Sequence, residues 1–152
     1  MILKARNGRL RPAAALPADG AGSGPARGHA PGAGQALTEA ELGHPLGRRA
    51  TLVQFSTAFC APCRATRVIL ADVAGLVDGV AHVEIDAESR LDLVRRLDIR
   101  RTPTVLVLGA DGRIARRGSG QPRKADVLAA LGEAVPSGEV RQCRARLAGL
   151  RR

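Results

Sequence analysis

Aromatic side chains are nearly absent from this sequence: its 152 residues include two Phe, no Trp and no Tyr. A hydrophobic core must therefore be built from aliphatic side chains, which the 45% hydrophobic content is sufficient to supply. Proteins that bind single-stranded nucleic acid commonly stack its bases on exposed aromatic rings. Because such rings are scarce here, we expect no specific nucleic-acid partner.

Long apolar runs are also missing. No stretch approaches the roughly 18 apolar residues of a membrane-spanning helix, and the opening Met1-Ile2-Leu3-Lys4 lacks the apolar segment of a signal peptide. The sequence as given therefore predicts a soluble, cytoplasmic protein. Cysteine is scarce too, since Cys60, Cys63 and Cys143 are too few to staple a small secreted domain. Three cysteines indicate redox or metal chemistry instead.

Positive charge is in excess, and it is unevenly spread. Lys and Arg total 24 against 14 Asp and Glu, a net charge of +10 that favours acidic partners. Residues 136–152 hold five basic residues and one acidic residue, which predicts a solvated, Arg-rich tail. Residues 1–46 are rich in Gly, Pro and Ala, and predict a flexible basic arm. Within that arm we expect a short helix near residues 38–43, because Thr38 and Glu41 form a capping-box pattern.

Between these extensions, residues 47–135 show the alternating strand and helix patterns of one α/β domain. The predicted elements are a strand at Thr51–Phe55, a helix from about Ala61 with Val73 and Leu76 on its apolar face, a strand at Val80–Asp86, an amphipathic helix around 93–97, a strand at Thr104–Leu108, a turn at Asp111-Gly112, a return strand at 113–117 and a helix from about Pro122. Strands joined by helical crossovers are parallel, and the hairpin adds an antiparallel strand. The expected architecture is therefore a central mixed β-sheet flanked by helices, in the order β-α-β-α-β-β-α.

The segment Cys60-Ala61-Pro62-Cys63 lies at the junction of the first of these strands and the following helix. The first N–H groups of a helix are unpaired and carry partial positive charge, so this position favours a thiolate over a thiol. Cys60 is therefore the predicted nucleophile. Cys63 follows within bonding reach, so it is the predicted resolving cysteine of a dithiol–disulfide pair. Pro62 fits a first helical turn because no backbone hydrogen bond is lost there.

Two other interpretations of the cysteine pair are weaker. A zinc site usually needs four ligands, and the other candidates, Cys143, His29, His44 and His82, are widely scattered. Neither a metal nor another cofactor is therefore expected. Two incidental core cysteines would fit a helix interior better than a strand-to-helix junction. Cys143 itself, flanked by arginines, is either an incidental exposed thiol or a third redox cysteine, mixed-disulfide site or dimer link.

Residues 47–135 resemble a bacterial thioredoxin-family domain. The resemblance is carried by the element order, by the Cys60–Cys63 motif after the first central strand, and by Thr102-Pro103-Thr104 before the next strand. It implies a thioredoxin-like fold, thiol–disulfide oxidoreductase activity, and a cis peptide bond before Pro103, where the residues alone predict trans. It also implies a disulfide-containing protein or small molecule as substrate and an electron donor such as a thioredoxin reductase. The substrate groove that it implies is formed by Phe59, Ala61, Pro62, Thr102 and Pro103.

The sequence departs from the family pattern at several positions. Family members usually carry Trp and Gly where this chain has Phe59 and Ala61. They also commonly carry a buried Asp that helps to deprotonate the resolving cysteine, with a Lys on the adjacent strand; Gln54 and His82 occupy those positions here. Because Gln cannot accept a proton, we hypothesise that resolution is slower or uses Glu84, His82 or water. Gln54, His82 and Glu84 are therefore the candidates for tuning the cysteine pKa values.

Alternatives stay open for two glycines, the function and the location. Gly118 and Gly120 resemble family glycines that approach the dithiol closely, or else serve a loop that needs positive φ.

A redox-sensing or binding module with the same fold and little turnover is the alternative to an enzyme. A structural subunit is less favoured because both motif cysteines are kept. Some bacterial relatives are tethered by an N-terminal membrane helix, and the basic segment Met1–Pro12 resembles the residues after such a helix, so tethering is expected only if the true start lies upstream.

Overall fold

The computed structural model describes residues 8–13 and 35–135 of the chain. Its elements in chain order are β1 (Arg11–Pro12), α1 (Glu39–Leu42), β2 (Ala50–Ser56), α2 (Ala61–Leu76), β3 (Val80–Asp86), α3 (Leu91–Arg96), β4 (Thr104–Gly109), β5 (Ile114–Ser119) and α4 (Lys124–Ala134). From β2 onward this is the predicted order β-α-β-α-β-β-α. The predicted tail 136–152 with Cys143 lies outside the described residues. Within the described ranges, none of the helices is sufficiently long and apolar to span a bilayer.

The five strands form one mixed sheet in the order β1-β5-β4-β2-β3, as the predicted fold class requires. β2 pairs in parallel with β3, with Gln54 opposite Glu84, because α2 carries the chain back along the sheet. β4 pairs antiparallel with both β2 and β5. The turn between β4 and β5 contains Gly112, whose φ of +77° favours glycine. β2 is therefore an interior strand, and its carboxyl end leads directly into the cysteine motif.

Helices cover both faces of the sheet, so β2 and β4 are buried along their whole length. One face packs against α1 and α3 in a cluster that includes Phe55, Leu93 and Leu106. The other face packs against α2 and α4 in a cluster that includes Leu70 and Val127. Apart from Phe55 the core is aliphatic, as the composition predicts.

Helix α2 buries a face that differs in part from the predicted one. Val73 is buried as expected, whereas Leu76 in the last turn is 63% exposed. The buried residues are Cys63, Thr66, Leu70 and Val73, which recur at the three- and four-residue spacing of one helix face. The second cysteine of the motif therefore faces the core and not the solvent.

Residues 8–13 and 35–46 differ from the flexible arm that composition predicts for residues 1–46, whereas residues 1–7 and 14–34 of that arm lie outside the described residues. β1 pairs antiparallel with β5, and Gly8 N donates a hydrogen bond to the last residue of β5 at 2.8 Å. Leu37 and Leu42 are buried in the core, and the short helix α1 has the expected capping box between Thr38 and Glu41. Residues 8–13 and 35–46 are thus attached to the domain, because pairing along the β5 edge and apolar burial outweigh the high glycine and proline content of the segment.

Candidate active site

The two cysteines of the motif form a disulfide at the amino end of α2. The Sγ atoms of Cys60 and Cys63 are 2.10 Å apart, and their Cα atoms are 5.2 Å apart. Cys60 is the N-cap of the helix, and its Sγ accepts a hydrogen bond from Cys63 N at 3.2 Å. Ala61 and Pro62 begin the first turn, where proline costs no backbone hydrogen bond. The same helix terminus would face a thiolate on Cys60 once the disulfide is opened.

The two cysteines differ in their exposure to solvent. Cys63 is 1% exposed and lies against the core, whereas Cys60 is partly exposed. Phe59 lies fully in solvent directly before Cys60, and Ala61 and Pro62 are exposed directly after it. A substrate disulfide can therefore reach Cys60 but not Cys63, which is the arrangement that the predicted nucleophile and resolving roles need.

The loop before β4 lies against the loop that carries the motif. The peptide bond between Thr102 and Pro103 is cis, as the family resemblance implies. Thr102 Oγ1 lies 3.3 Å from Thr57 Oγ1, which belongs to the loop between β2 and α2. Pro103 O accepts a hydrogen bond from Gly120 N at 2.7 Å. These contacts bring the predicted groove residues Thr102 and Pro103 to the same end of the sheet as the disulfide.

The two glycines near this loop have different roles. Gly120 has a φ of +89°, and its N–H is the donor to Pro103. A Cβ atom on Gly118 would lie 2.9 Å from Arg9 O and 3.0 Å from Leu10 Cδ2. The close neighbour of Gly118 is therefore the segment that contains β1, and not the dithiol that the family resemblance implies.

Gln54 occupies a fully buried position on β2, facing the first turn of α2. Its Nε2 donates a hydrogen bond to Cys63 O at 2.8 Å. Its Oε1 has no hydrogen-bond partner among the residues that the structure describes. Because an amide does not take up a proton near neutral pH, Gln54 can position Cys63 but cannot act as its base.

Glu84 is paired opposite Gln54 on the neighbouring strand. Its Oε1 accepts hydrogen bonds from Ser56 Oγ at 2.6 Å and from Arg67 Nη2 at 2.7 Å, and its Oε2 lies 2.6 Å from Arg67 Nε. Partial burial acts to raise the pKa of Glu84, but the hydrogen bonds from Arg67 and Ser56 outweigh it and hold that pKa below its ordinary value. Glu84 is therefore a carboxylate at neutral pH and a weak proton acceptor.

A cavity of about 440 Å³ opens between the disulfide and β3. Its lining residues are Ser56, Thr57, Ala58, Cys60, Cys63, Arg64, Arg67, Glu84 and Asp86. Arg64, Arg67 and Asp86 were not among the site residues predicted from the sequence. The two arginines lie one and four positions after Cys63 on α2, and Asp86 ends the strand parallel to β2. Their convergence could have been found only once the register of the two strands was known.

His82 is paired opposite Leu52, further from the carboxyl end of the sheet than Glu84. Burial lowers the pKa of His82 below its ordinary value, against the attraction of Glu84. Its Nε2 has no hydrogen-bond partner in the part of the chain that the structure describes. His82 does not belong to the lining of the cavity, so of the two predicted proton acceptors Glu84 is the one that shares a cavity with the cysteines. Among residues 8–13 and 35–135, no group of three or more His, Cys, Asp or Glu side chains could hold a metal ion.

Comparison with known families matches residues 36–133 to the thioredoxin family. No curated protein matches the chain. Among solved structures, a chloroplastic thioredoxin z is 27% identical, and the match covers 57% of this chain and 79% of that one with a TM-score of 0.52. A mutant thioredoxin from Halobacterium salinarum is 18% identical, covering 58% and 76% of the two chains with a TM-score of 0.54. Thioredoxin f from spinach chloroplast is 22% identical, covering 58% and 78% with a TM-score of 0.51.

The family match spans more than half of the chain and begins upstream of residue 47, where the sequence pattern placed the start of the domain. It includes both motif cysteines and the cis Pro103 that lies at the same end of the sheet. The solved thioredoxins share the fold of this chain. Because the family, the fold and the disulfide-bonded cysteine pair agree, the chain belongs to the thioredoxin family and is a thiol–disulfide oxidoreductase.

Proposed function

We propose that the chain reduces disulfides in proteins, with Cys60 as the nucleophile and Cys63 as the resolving cysteine. One observation carries the proposal: a partly exposed sulfur at the N-terminus of α2 is bonded to a sulfur that is buried behind it. The helix terminus supports a thiolate on Cys60, and burial keeps Cys63 away from foreign disulfides. The polypeptide around the substrate disulfide would lie on the predicted groove residues, which are Phe59, Ala61, Pro62, Thr102 and Pro103.

The proposed reaction starts from the dithiol. The Cys60 thiolate attacks one sulfur of the substrate disulfide, the other substrate sulfur leaves as a thiolate, and a mixed disulfide forms. Cys63 then loses its proton and attacks the Cys60 sulfur, which releases the second substrate thiolate. Two electrons pass to the substrate; one of its sulfurs takes the Cys63 proton, and the other takes a proton from water. An electron donor of the thioredoxin-reductase type returns the Cys60–Cys63 disulfide to the dithiol.

The proton of Cys63 needs an acceptor in the second step. Gln54 cannot supply one, and Arg67 and Ser56 hold the Glu84 carboxylate in its charged form. Cys63 lines the cavity together with the partly exposed Cys60. We therefore propose that water in this cavity accepts the proton and passes it to the departing substrate thiolate.

The test is reduction of insulin with dithiothreitol as the electron source. Wild type and the control variant Cys143→Ser should be active, because Cys143 is outside the matched domain. Cys60→Ser and Cys63→Ser should be inactive, and Cys63→Ser should accumulate a mixed disulfide that mass spectrometry locates on Cys60. Turnover that survives Cys60→Ser would overturn the assignment of the nucleophile. A disulfide that opens reversibly in glutathione buffers without insulin reduction would support the redox-sensing module instead.

We also propose that the protein works in the cytoplasm of a bacterium. The resemblance to bacterial thioredoxin-like domains supports this location. In a cytoplasm the reducing glutathione potential would favour the dithiol form, which the proposed reductase needs. Cell fractionation followed by thiol alkylation is the test. Recovery with the soluble fraction in the dithiol state is the expected result, whereas recovery with membranes after a salt wash would favour the tethered form.

A further inference from the structure

The cavity beside the disulfide has the size of a small-molecule site. Its volume of about 440 Å³ falls within the roughly 300–1,000 Å³ that ligand pockets occupy. Ser56, Thr57 and Ala58 form the wall that continues from β2, and none of these small side chains fills the space. Cys60 lines the same cavity, so a molecule bound in it would lie against the predicted nucleophile.

The charged side chains around the cavity fall into two groups. Arg67 and Glu84 form a two-contact ion pair, so they neutralise each other. Arg64 and Asp86 form no ion pair with any residue in the described part of the chain. Asp86 Oδ1 accepts only the backbone N–H of Glu88, at 3.0 Å, and Arg64 is exposed one residue after Cys63. The cavity therefore has one unpaired cation on the α2 side and one unpaired carboxylate on the β3 side.

We propose that this cavity binds a low-molecular-weight disulfide whose halves each carry an ammonium and a carboxylate group. In this arrangement Arg64 pairs with the carboxylate, Asp86 pairs with the ammonium, and one sulfur of the ligand is placed at Cys60. The inference rests on the proposed disulfide-reductase function and names a second substrate class for the same cysteines. Protein disulfides would use the groove at Pro103, whereas the small disulfide would use the β3 side.

The chemistry balances without an additional group on the protein. The Cys60 thiolate attacks one sulfur of the small disulfide and releases one half as a thiolate. Cys63 gives up its proton and attacks the Cys60 sulfur, which releases the other half. The protein dithiol is oxidised to the disulfide and the ligand is reduced by two electrons; the Cys63 proton ends on one released half, and the other half is released as a thiolate that takes its proton from water. The electron donor named above restores the dithiol.

The experiment uses three small disulfides that differ in charge. Glutathione disulfide carries both groups, cystamine carries only ammonium groups, and dithiodipropionate carries only carboxylates. The reduced full chain is mixed with each compound at physiological salt, where the Debye length is about 8 Å and distant charges are screened. Single-turnover rates are read by acid quench, alkylation and mass spectrometry for wild type, Arg64→Gln and Asp86→Asn. Arg95→Gln, which removes an exposed arginine on α3, is the matched control.

Each variant is compared with wild type on the same disulfide, which cancels differences in the reactivity of the compounds. Arg64→Gln should slow the reduction of glutathione disulfide and of dithiodipropionate by about two- to fivefold, the usual range for an exposed ion pair. The rate of cystamine reduction should be unchanged. Asp86→Asn should slow the reduction of glutathione disulfide and of cystamine by a similar factor, and the rate of dithiodipropionate reduction should be unchanged. Arg95→Gln should leave all three rates unchanged.

Two results would overturn the proposal. Equal slowing of all three disulfides by Arg64→Gln would mean that Arg64 acts on the Cys60 thiolate and not on the ligand. Unchanged rates in both variants would mean that neither side chain touches the substrate. In either case wild type would still reduce insulin, so failure of this inference is distinct from failure of the proposed function, which would abolish insulin reduction as well.

Discussion

Replacing Gln54 by aspartate places an ionisable group where this chain has a buried amide. The amide donates to Cys63 O at 2.8 Å, whereas a carboxylate has no donor and would face that carbonyl oxygen unfavourably. The site is completely buried, and the paired residue across the strand is the anionic Glu84. Because Arg67 neutralises the charge of Glu84, the loss of water is the main cause that favours the protonated form of the introduced carboxyl, and we expect its pKa to be raised strongly.

The loss of unfolding free energy in Gln54→Asp follows from the raised pKa of the introduced carboxyl. A rise of about 3 units above the ordinary aspartate pKa of about 3.9, at about 1.36 kcal/mol per unit, corresponds to about 4 kcal/mol. Because the folded-state pKa is the higher one, the penalty is absent below about pH 4, grows as the pH rises, and is complete above about pH 7. Gln54→Asp should therefore approach wild-type stability in acid and lose about 4 kcal/mol of unfolding free energy at neutral pH.

The assay is urea unfolding of the oxidised protein, followed by circular dichroism between about pH 4 and about pH 8. Gln54→Leu is the matched control. It removes one hydrogen bond together with the unpartnered Oε1, so its cost should stay below about 1 kcal/mol and should be the same at every pH. A difference between Gln54→Asp and wild type that does not change with pH would refute the reasoning.

The rate of insulin reduction is an independent test of the Gln54→Asp substitution. A carboxyl group that titrates beside Cys63 supplies the base that wild type lacks, so insulin reduction by Gln54→Asp should become pH-dependent around the raised pKa. Identical pH profiles for Gln54→Asp and wild type would contradict the hypothesis that water replaces a protein base in the resolving step.

Three further predictions concern stability, and each is checked by urea unfolding. Wild type should lose unfolding free energy as the pH falls below 6.5, because the folded-state pKa of His82 is depressed and the unfolded histidine binds its proton first; His82→Leu should lose less over that interval. Gly8→Ala should cost at least about 1 kcal/mol more than Gly43→Ala. Both glycines have positive φ, but only at Gly8 would a Cβ collide with a backbone atom, Gln121 O; equal losses would contradict this contact. Arg117→Met should cost about 1–3 kcal/mol, because Arg117 donates at 2.5 Å to the carbonyl groups of Leu97 and Asp98, which follow α3; an unchanged free energy of unfolding would contradict this.

Local sequence patterns were sufficient to predict the strands around the site. β3 coincides with the predicted strand Val80–Asp86, β2 extends its predicted strand by one residue at each end, and β4 extends its predicted strand by one residue at the carboxyl end. Interior strands are specified by continuous apolar runs bounded by turn residues, which are visible without knowledge of the fold. The helix cap at Cys60 and the capping box at Thr38 are equally local, because each is completed within four residues.

Long-range contacts could not be predicted in this way. β1 consists of Arg11 and Pro12, which show no apolar periodicity, and it is held by pairing with β5, while the preceding residues Arg9 and Leu10 approach Gly118 closely. Arg64 and Asp86 belong to different elements, and they face one cavity only because β2 and β3 are parallel and in register. A sequence shows which residues are charged, but the assembled sheet decides which charges meet.

The distribution of charge around the dithiol assigns two properties to different residues: the rate and pH dependence of disulfide closure, and the choice of the disulfide that reacts. A single buried acid beside the cysteines would influence both. Behind Cys63 the side chain is the neutral Gln54, and beside the cysteines the charges of Arg67 and Glu84 cancel. Among the described residues that line the cavity, the uncompensated charges are therefore those of Arg64 and Asp86. Substitutions at Gln54 should change the rate and pH dependence of disulfide closure, whereas substitutions at Arg64 and Asp86 should change which disulfide reacts. Because Gln54 contacts Cys63 from the core and the two charged residues line the cavity, we expect their effects to add. A double variant of Gln54 and Arg64 whose rates depart from the product of the single effects would show that the two properties are coupled.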